Sequence, residues 1–253
     1  MQPTTITIIL AYLGVLSTAA VIPVEVEKRT LGDRNDPFQV DVDCSGADAV
    51  CNLDCYGILC FLVPNPTQRQ IGISATHRQD SGVDARPLYL TEQQRFDRGL
   101  NHTDTILNQI GRSPEEITMA SSAQGGSGDI LGPTQVNQNE EIGSRISGQL
   151  SHLGVGDRQW YFRRFTNYAH APYCDALQAS PPDHSVCPED GKDDTDPARI
   201  SFVRMDARGP NNRIQYHMMS FNAGDRWTGK NWARVSKRED EEVNEEDPYV
   251  IKQ

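Results

Sequence analysis

No apolar run in this 253-residue chain reaches the roughly 20 residues that a membrane-spanning helix needs. The mature chain is therefore expected to be soluble. The glycine fingerprints of P-loop and dinucleotide-binding proteins are missing. The six histidines show no H-x-x-x-H or H-E-x-x-H spacing, and no C-x-x-C pair occurs, so the common zinc patterns are missing too. Gly125-Gly-Ser127-Gly-Asp129 stops one residue short of a G-x-S-x-G nucleophile elbow, because Asp129 stands where the last glycine belongs. No internal repeat is present.

A basic surplus is also lacking. The formal net charge is −11, which by itself argues against a polyanion binder. The surplus acid is segmental, however. Seven of the nine residues from Glu239 to Asp247 are acidic, and a second cluster runs through Asp183, Glu189, Asp190, Asp193, Asp194 and Asp196. Such runs are typical of solvated tails and loops. Without them the rest of the mature chain is close to neutral.

What is present begins at the N-terminus. Ile6 to Leu16 is apolar except for Thr7 and Gly14, and Ser17-Thr-Ala-Ala20 supplies small residues for a cleavage site. This predicts a signal peptide over 1–20, even though no Lys or Arg precedes the run. Lys28-Arg29 resembles a dibasic processing site and makes 21–29 a short pro-segment. Lys237-Arg238 is a similar pair ahead of an acidic tail at 239–253. Asn101-His-Thr103 is the one valid glycosylation sequon, since Asn65 is followed by proline. The expected product is a secreted, extracellular protein, 30–238, with an extension from about 167. In that compartment its six cysteines read as up to three disulfides. Cys174 and Cys187 are expected to form a local bridge. Cys44, Cys51, Cys55 and Cys60 permit three pairings.

Element signals are mixed. Residues 30–43 read as an extended lead-in, Ala47–Phe61 as a helix with Cys51 and Cys55 on one face, and 67–87 as loop. Thr91 with Gln94 opens a helix that Gly99 weakens and that Thr103–Ile110 continues up to a stop at Gly111. Short strands follow at Ile117–Ser121 and Ile130–Val136. Asn139–Leu150 is a helix by its Ile142, Ile146, Leu150 spacing. Gln159–Phe165 alternates as a strand, and Ile200–Met205 with Ile214–Phe221 forms a hairpin. The fold class is α+β, with a strand–loop–strand–helix unit near the middle.

Within that unit, Glu115-Glu-Ile-Thr-Met-Ala-Ser-Ser-Ala-Gln-Gly-Gly126, then Asn139-Glu-Glu-Ile-Gly-Ser144 and Gly148-Gln-Leu150, resemble the NucA/NucB family of extracellular deoxyribonucleases. Asp43-Cys-Ser-Gly46, Cys51-Asn-Leu-Asp-Cys-Tyr56 and Arg78-Gln-Asp-Ser-Gly82 resemble the cysteine-rich lead of its fungal members. The likeness spans about residues 40–166. It implies a small disulfide-bonded domain with a ββα-metal core that cleaves DNA with a divalent ion, Mg or Mn.

The resemblance assigns roles residue by residue. Glu115 falls at the family's catalytic aspartate and Glu116 keeps the neighbouring acid. Asn139 matches the loop asparagine, a ligand for metal or phosphate, and Gln124 falls where bacterial members carry an acid. Arg163 and Arg164 are the candidates to face the DNA backbone. Gly148 replaces a polar helix residue, and Val83 and Pro114 stand where fungal members place a pair of cysteines. The chemistry suits these residue types: a base removes a proton from the attacking water, and a cation offsets charge at the phosphorus. The competing reading is an inactive secreted binding protein on the same scaffold. On that reading Glu115-Glu116 is a solvated turn, Asn139 a helix cap and Arg163-Arg164 ordinary surface charge.

Overall fold

The computed structural model describes residues 30–187, 202–208 and 214–219. The signal peptide, pro-segment and acidic tail expected from the sequence lie outside these residues, as do both dibasic pairs, most of the second acidic cluster and the tip of the expected hairpin. Among the described residues no helix is long and apolar enough to cross a membrane.

The extended lead-in is a strand, β1 (Phe38–Asp43), whose Val40 and Val42 point inward. It pairs in parallel with β5 (Trp160–Thr166), in the register Val40 to Arg163 and Val42 to Phe165. The expected strand at 159–165 is thus present and shifted by one residue. Its inward residues are Tyr161, Arg163 and Phe165, the alternation that a strand with one covered face requires. A two-residue strand, β2 (Thr67–Gln68), lies antiparallel on the other edge of β5.

Helix α1 (Asp48–Cys60) is buried almost all round, so it forms the centre of the larger core rather than one of its walls. Tyr56 stacks on Phe202 at 5.2 Å and meets Tyr173 edge-on at 4.6 Å. Gly57 is where α1 touches the loop after the third strand: a Cβ there would lie 2.6 Å from Ile117 Cγ2. The absent side chain lets helix and strand end meet directly.

The cysteine pairing corrects the expectation for Cys174 and Cys187. The bridges are Cys44–Cys51, Cys55–Cys174 and Cys60–Cys187, with Cα separations of 6.1, 5.0 and 5.5 Å. Cys174 sits on helix α6 (Pro172–Gln178), which packs along α1. Cys187 follows on the next turn, so each finds a partner on α1 rather than the other. Closeness in sequence did not translate into closeness in space.

Between α1 and the central unit the expected loop is partly helical: α2 (Ser74–Asp80) is followed by two single turns at Val83–Ala85 and Pro87–Tyr89. The helix α3 (Glu92–Phe96) carries the complete Thr91/Gln94 capping box, and α4 (Asp104–Ile110) starts at its Thr103 cap. Asn101, the sequon residue, is exposed just before it.

The central unit is β3 (Ser113–Glu116), β4 (Ile130–Thr134) and α5 (Val136–His152). The strands pair antiparallel, Glu115 opposite Gly132 and Glu116 opposite Leu131. The first strand therefore lies four residues before the segment expected from the apolar run. The reason is Gly111: its φ is +114°, and a Cβ would sit 2.0 Å from Thr134 O, so the chain enters β3 where only glycine fits against the end of β4. Ile142, Ile146 and Leu150 face the core from α5, as their spacing predicts. Strands β6 (Val203–Arg208) and β7 (Ile214–Met218) extend β3–β4 into a four-stranded sheet in the order β3-β4-β6-β7. The molecule is α+β, with two sheets and three disulfides.

Candidate functional site

Strand β3 ends in two acids, and both residues line a cleft of about 670 Å³. Consecutive strand residues point to opposite sides of the pleat, so each acid meets a different environment.

Glu116 turns toward α2 and the turn after it. Ser81 Oγ donates to it at 2.7 Å and Arg78 Nη1 at 3.5 Å, while Arg78 Nε holds Asp84 at 2.9 Å. Ser81 is fully buried, and its neighbour Gly82 is fixed by a 2.9 Å hydrogen bond from Tyr216 Oη to the glycine carbonyl. Burial raises the Glu116 pKa, opposed by the Ser81 hydrogen bond and the Arg78 charge.

Glu115 turns toward α1 and β5. Among the described residues no hydrogen bond reaches its carboxylate, and only 9% of the residue is exposed. Burial raises its pKa well above the ordinary range, and the nearby Asp54 and Glu116 charges add to the rise against the pull of Arg163. Asp54 lies beneath it on α1, fully buried and paired with Arg163 Nη1 at 3.1 Å. Burial pushes Asp54 up to about 7, with Arg163 opposing.

Arg163 also donates through Nη2 to Ile117 O at 2.8 Å, and the Asn65 side chain bonds its backbone N–H and C=O at 2.9 and 3.0 Å. One buried guanidinium thus ties α1 and β5 to the end of β3. Asp129 closes the loop between the strands. Its Oδ1 accepts from the N–H groups of Thr118 (3.1 Å) and Ile130 (2.8 Å). Burial and the Glu116 charge raise the Asp129 pKa against those two bonds.

Asn139 reaches the same cleft from the second turn of α5. The helix begins at Val136 with Gln135 as its cap, so Asn139 is not a capping residue. Its Nδ2 donates to Ser113 Oγ at 2.9 Å and Pro114 O at 3.3 Å. The amide oxygen has no partner among the described residues.

Glu115, Glu116 and Asn139 are therefore all part of the cleft wall. Gln124 is not: its Oε1 accepts from the Gln68 backbone N–H at 2.8 Å, and the side chain is absent from the cleft wall. Gly148 lies open on the far part of α5. Arg163 and Arg164 do not form a joint basic face, because strand alternation sends one inward and the other outward. Arg163 is 1% exposed. Arg164 makes a bidentate pair with Asp41, both contacts 2.8 Å, on the outer side of β5. The cations at the cleft are instead Arg78 and Arg86, joined by the exposed Tyr89.

Sequence reasoning passed over Asp54, Asp129, Arg86 and Tyr89. Asp54 lies inside the quoted Cys51–Tyr56 segment but carries no spacing signal. Arg86 falls in the stretch 67–87 read as loop, and Tyr89 lies between it and the expected helix start at Thr91. Asp129 was weighed as part of a failed nucleophile elbow rather than as a loop clasp.

No group of three or more histidine, cysteine, aspartate or glutamate side chains gathers in metal-binding geometry among the described residues. No family model matches the chain, and no curated protein or solved structure matches it.

Proposed function

We propose that the chain is a secreted, metal-assisted phosphodiester hydrolase acting on DNA, of the NucA/NucB type. The observation that carries this reading is that Glu115, Glu116 and Asn139 line one cleft with Arg78 and Arg86, the acids and amide presented by the β3–β4–α5 unit and the arginines by residues 78–86. Three disulfides and the lack of a membrane-spanning helix among the described residues accord with export.

The donor set fits a small hard cation. Glu115 has an acceptor group without a hydrogen-bond donor, and Asn139 leaves its carbonyl oxygen free. An ion of the Mg class keeps most of its waters and needs only one or two protein oxygens beside the substrate phosphate, so the absence of a three-carboxylate cluster is compatible with it. Glu115 and Asn139 would hold the cation, which would neutralise charge developing on the transferred phosphoryl group.

The protein's own groups do the rest. Glu115, whose carboxylate accepts no hydrogen bond among the described residues, keeps an oxygen open to take the proton of the attacking water while the other would face the cation. Ser81 and Arg78 keep Glu116 in place beside it. Arg163 and Asp54 fix the strand end from below, and Arg78 with Arg86 offers positive charge to phosphate oxygens.

A plasmid-nicking assay on the secreted chain tests this. Nicking is expected with Mg²⁺ or Mn²⁺ and not with EDTA, and Glu115→Gln should slow it on the order of 10²- to 10⁴-fold. Asn139→Ala should raise the metal concentration needed for half-maximal nicking. Nicking that survives EDTA or is indifferent to Glu115→Gln overturns the reading.

A second reading, an inactive binding protein on the same scaffold, draws on Gln124 and Gly148. Both stand where the family places polar groups, and neither contributes to the cleft. Intact plasmid under every metal condition, together with retained DNA binding, would favour it.

A further inference from the structure

The lip of the cleft has a feature that phosphate chemistry does not use. The two single turns at Val83–Ala85 and Pro87–Tyr89 meet at Arg86, whose φ is +46° and ψ +56°. That is the left-handed region, which a non-glycine residue seldom occupies and from which a residue preceding proline is normally pushed toward extended backbone. The conformation is held from several sides. Arg86 N–H bonds Val83 O at 2.9 Å, and Tyr89 N–H bonds Arg86 O at 3.1 Å. Val83, Pro87 and Leu88 are buried beneath the turn, and Arg112 Nη1 donates to Leu88 O at 3.3 Å.

The consequence of this constrained turn is what it presents. Its apolar residues go inward, while Arg86 and Tyr89 both line the cleft. Arg86 has no ion-pair or side-chain hydrogen-bond partner among the described residues. Tyr89 is 48% exposed, and across the cleft Val136 is 43% exposed. A free cation beside an open aromatic ring is the pairing that single-stranded nucleic acid recognises: the cation meets the backbone and the ring stacks on a base. In a duplex both faces of every base are already stacked on neighbours, so Tyr89 has nothing to stack on unless a base leaves the helix.

We propose that Arg86 and Tyr89 form a clamp that binds a single nucleic-acid strand, Arg86 on a phosphate and Tyr89 stacked on an adjacent unpaired base. This rests on the reading of the cleft as a phosphodiester site and names the form of substrate it takes. The clamp selects single-stranded or locally opened DNA over closed duplex, and it places the next phosphate toward Glu115 and Asn139.

The test is fluorescence anisotropy on the secreted chain in EDTA at low salt. The probes are a labelled single-stranded oligonucleotide, a hairpin duplex of the same composition, and a single strand with abasic sites. The single strand should bind at least roughly tenfold tighter than the duplex. Tyr89→Ala should erase about a tenfold share of single-strand affinity, as should the abasic probe with the unaltered protein, and Tyr89→Phe should keep it. Arg86→Ala should weaken both single-stranded probes and lower the salt slope by about one. Equal binding of duplex and single strand, or an abasic probe that binds as well as the intact one, overturns the clamp. Absence of any single-strand binding does so too. Tight single-strand binding without plasmid nicking would leave the clamp standing and remove the catalytic reading. Nicking with no dependence on Tyr89 would do the reverse.

Discussion

The two sides of the molecule are stabilised by different means. On one side α1, α6, β1 and β5 share the large core, and every disulfide has an end on α1 or the turn leading to it. On the other, α2, the two single turns, α3, α4 and the β6–β7 pair enclose a smaller core. It consists of Val83, Leu100, Leu131, Val203, Met205, Ile214 and Tyr216, and contains no cysteine. Glu115 and Glu116 stand on the seam. The covalent side supplies the fixed floor, Asp54 and Arg163, while the non-covalent side supplies Arg78, Arg86 and Tyr89, which meet solvent and ligand. Binding surfaces are commonly placed on irregular segments carried by a rigid scaffold, and here the boundary between the two runs between adjacent residues of one strand.

The sharpest way to break this comparison is at the floor. Arg163→Met leaves Asp54 charged or protonated in a fully buried position and removes the donor to Ile117 O. Loss of one partner of a buried pair costs about 3–5 kcal/mol, which for a chain of this size lowers Tm on the order of 10 °C. The double variant Asp54→Leu/Arg163→Met should recover much of that stability, since apolar replacement of a whole buried pair is often neutral. It should not recover nicking, because nothing then ties the end of β3 to β5. If nicking returns together with stability, the pair contributes to folding alone.

A smaller effect separates the two sides directly. Cys55 and Cys174 are 119 residues apart, so their bridge closes a long loop, and Cys55→Ser/Cys174→Ser should cost about 2–4 kcal/mol. Amide exchange should show the loss in α1, α6 and β5, with α3, α4 and the turns around Arg86 exchanging at their former rates. Equal loss of protection on both sides would mean that the seam is no boundary and the molecule opens as one unit.

How much of this could be read beforehand followed the range of the interactions involved. The α3 capping box, the glycine stop of α4 and the apolar spacing of α5 are local signals: α4 stands within a residue of its expected bounds, α5 starts three residues earlier and ends two later, and α3 closes at Phe96 instead of continuing into α4. Glu115, Glu116 and Asn139 line one cleft because the β3–β4–α5 unit is itself contiguous in sequence. The disulfides were misread because pairing depends on how α6 lies along α1, a contact between segments more than 100 residues apart. The arginine pair failed for a simpler reason: a strand divides neighbours between its faces, so Arg163 became an internal tie and Arg164 a surface partner of Asp41. Arg86 and Tyr89 had no signal beyond a proline between them. Their common aim comes from a left-handed residue that composition and periodicity do not reveal.

The mildest test concerns protons at the seam. Asp54 is raised to about 7, and burial raises Glu115 and Asp129 as well. A carboxyl that binds its proton more tightly when folded gives stability that is complete below its unfolded pKa, near 4, and is lost as pH rises through its folded value. In EDTA the Tm should therefore fall as pH rises from about 4 through about 7. Asp129→Asn should flatten the slope. Its amide oxygen can keep the bonds from Thr118 and Ile130, and its nitrogen replaces an Oδ2 that has no hydrogen-bond partner among the described residues. The variant should be more stable than the unaltered chain at pH 8, and the difference should shrink toward pH 5. Mg²⁺ adds a readout independent of catalysis. A cation held by Glu115 competes with its proton, so Mg²⁺ should raise the Tm at pH 8 and have little effect at pH 5. A shift of equal size at both pH values would place the ion elsewhere and take Glu115 out of its coordination.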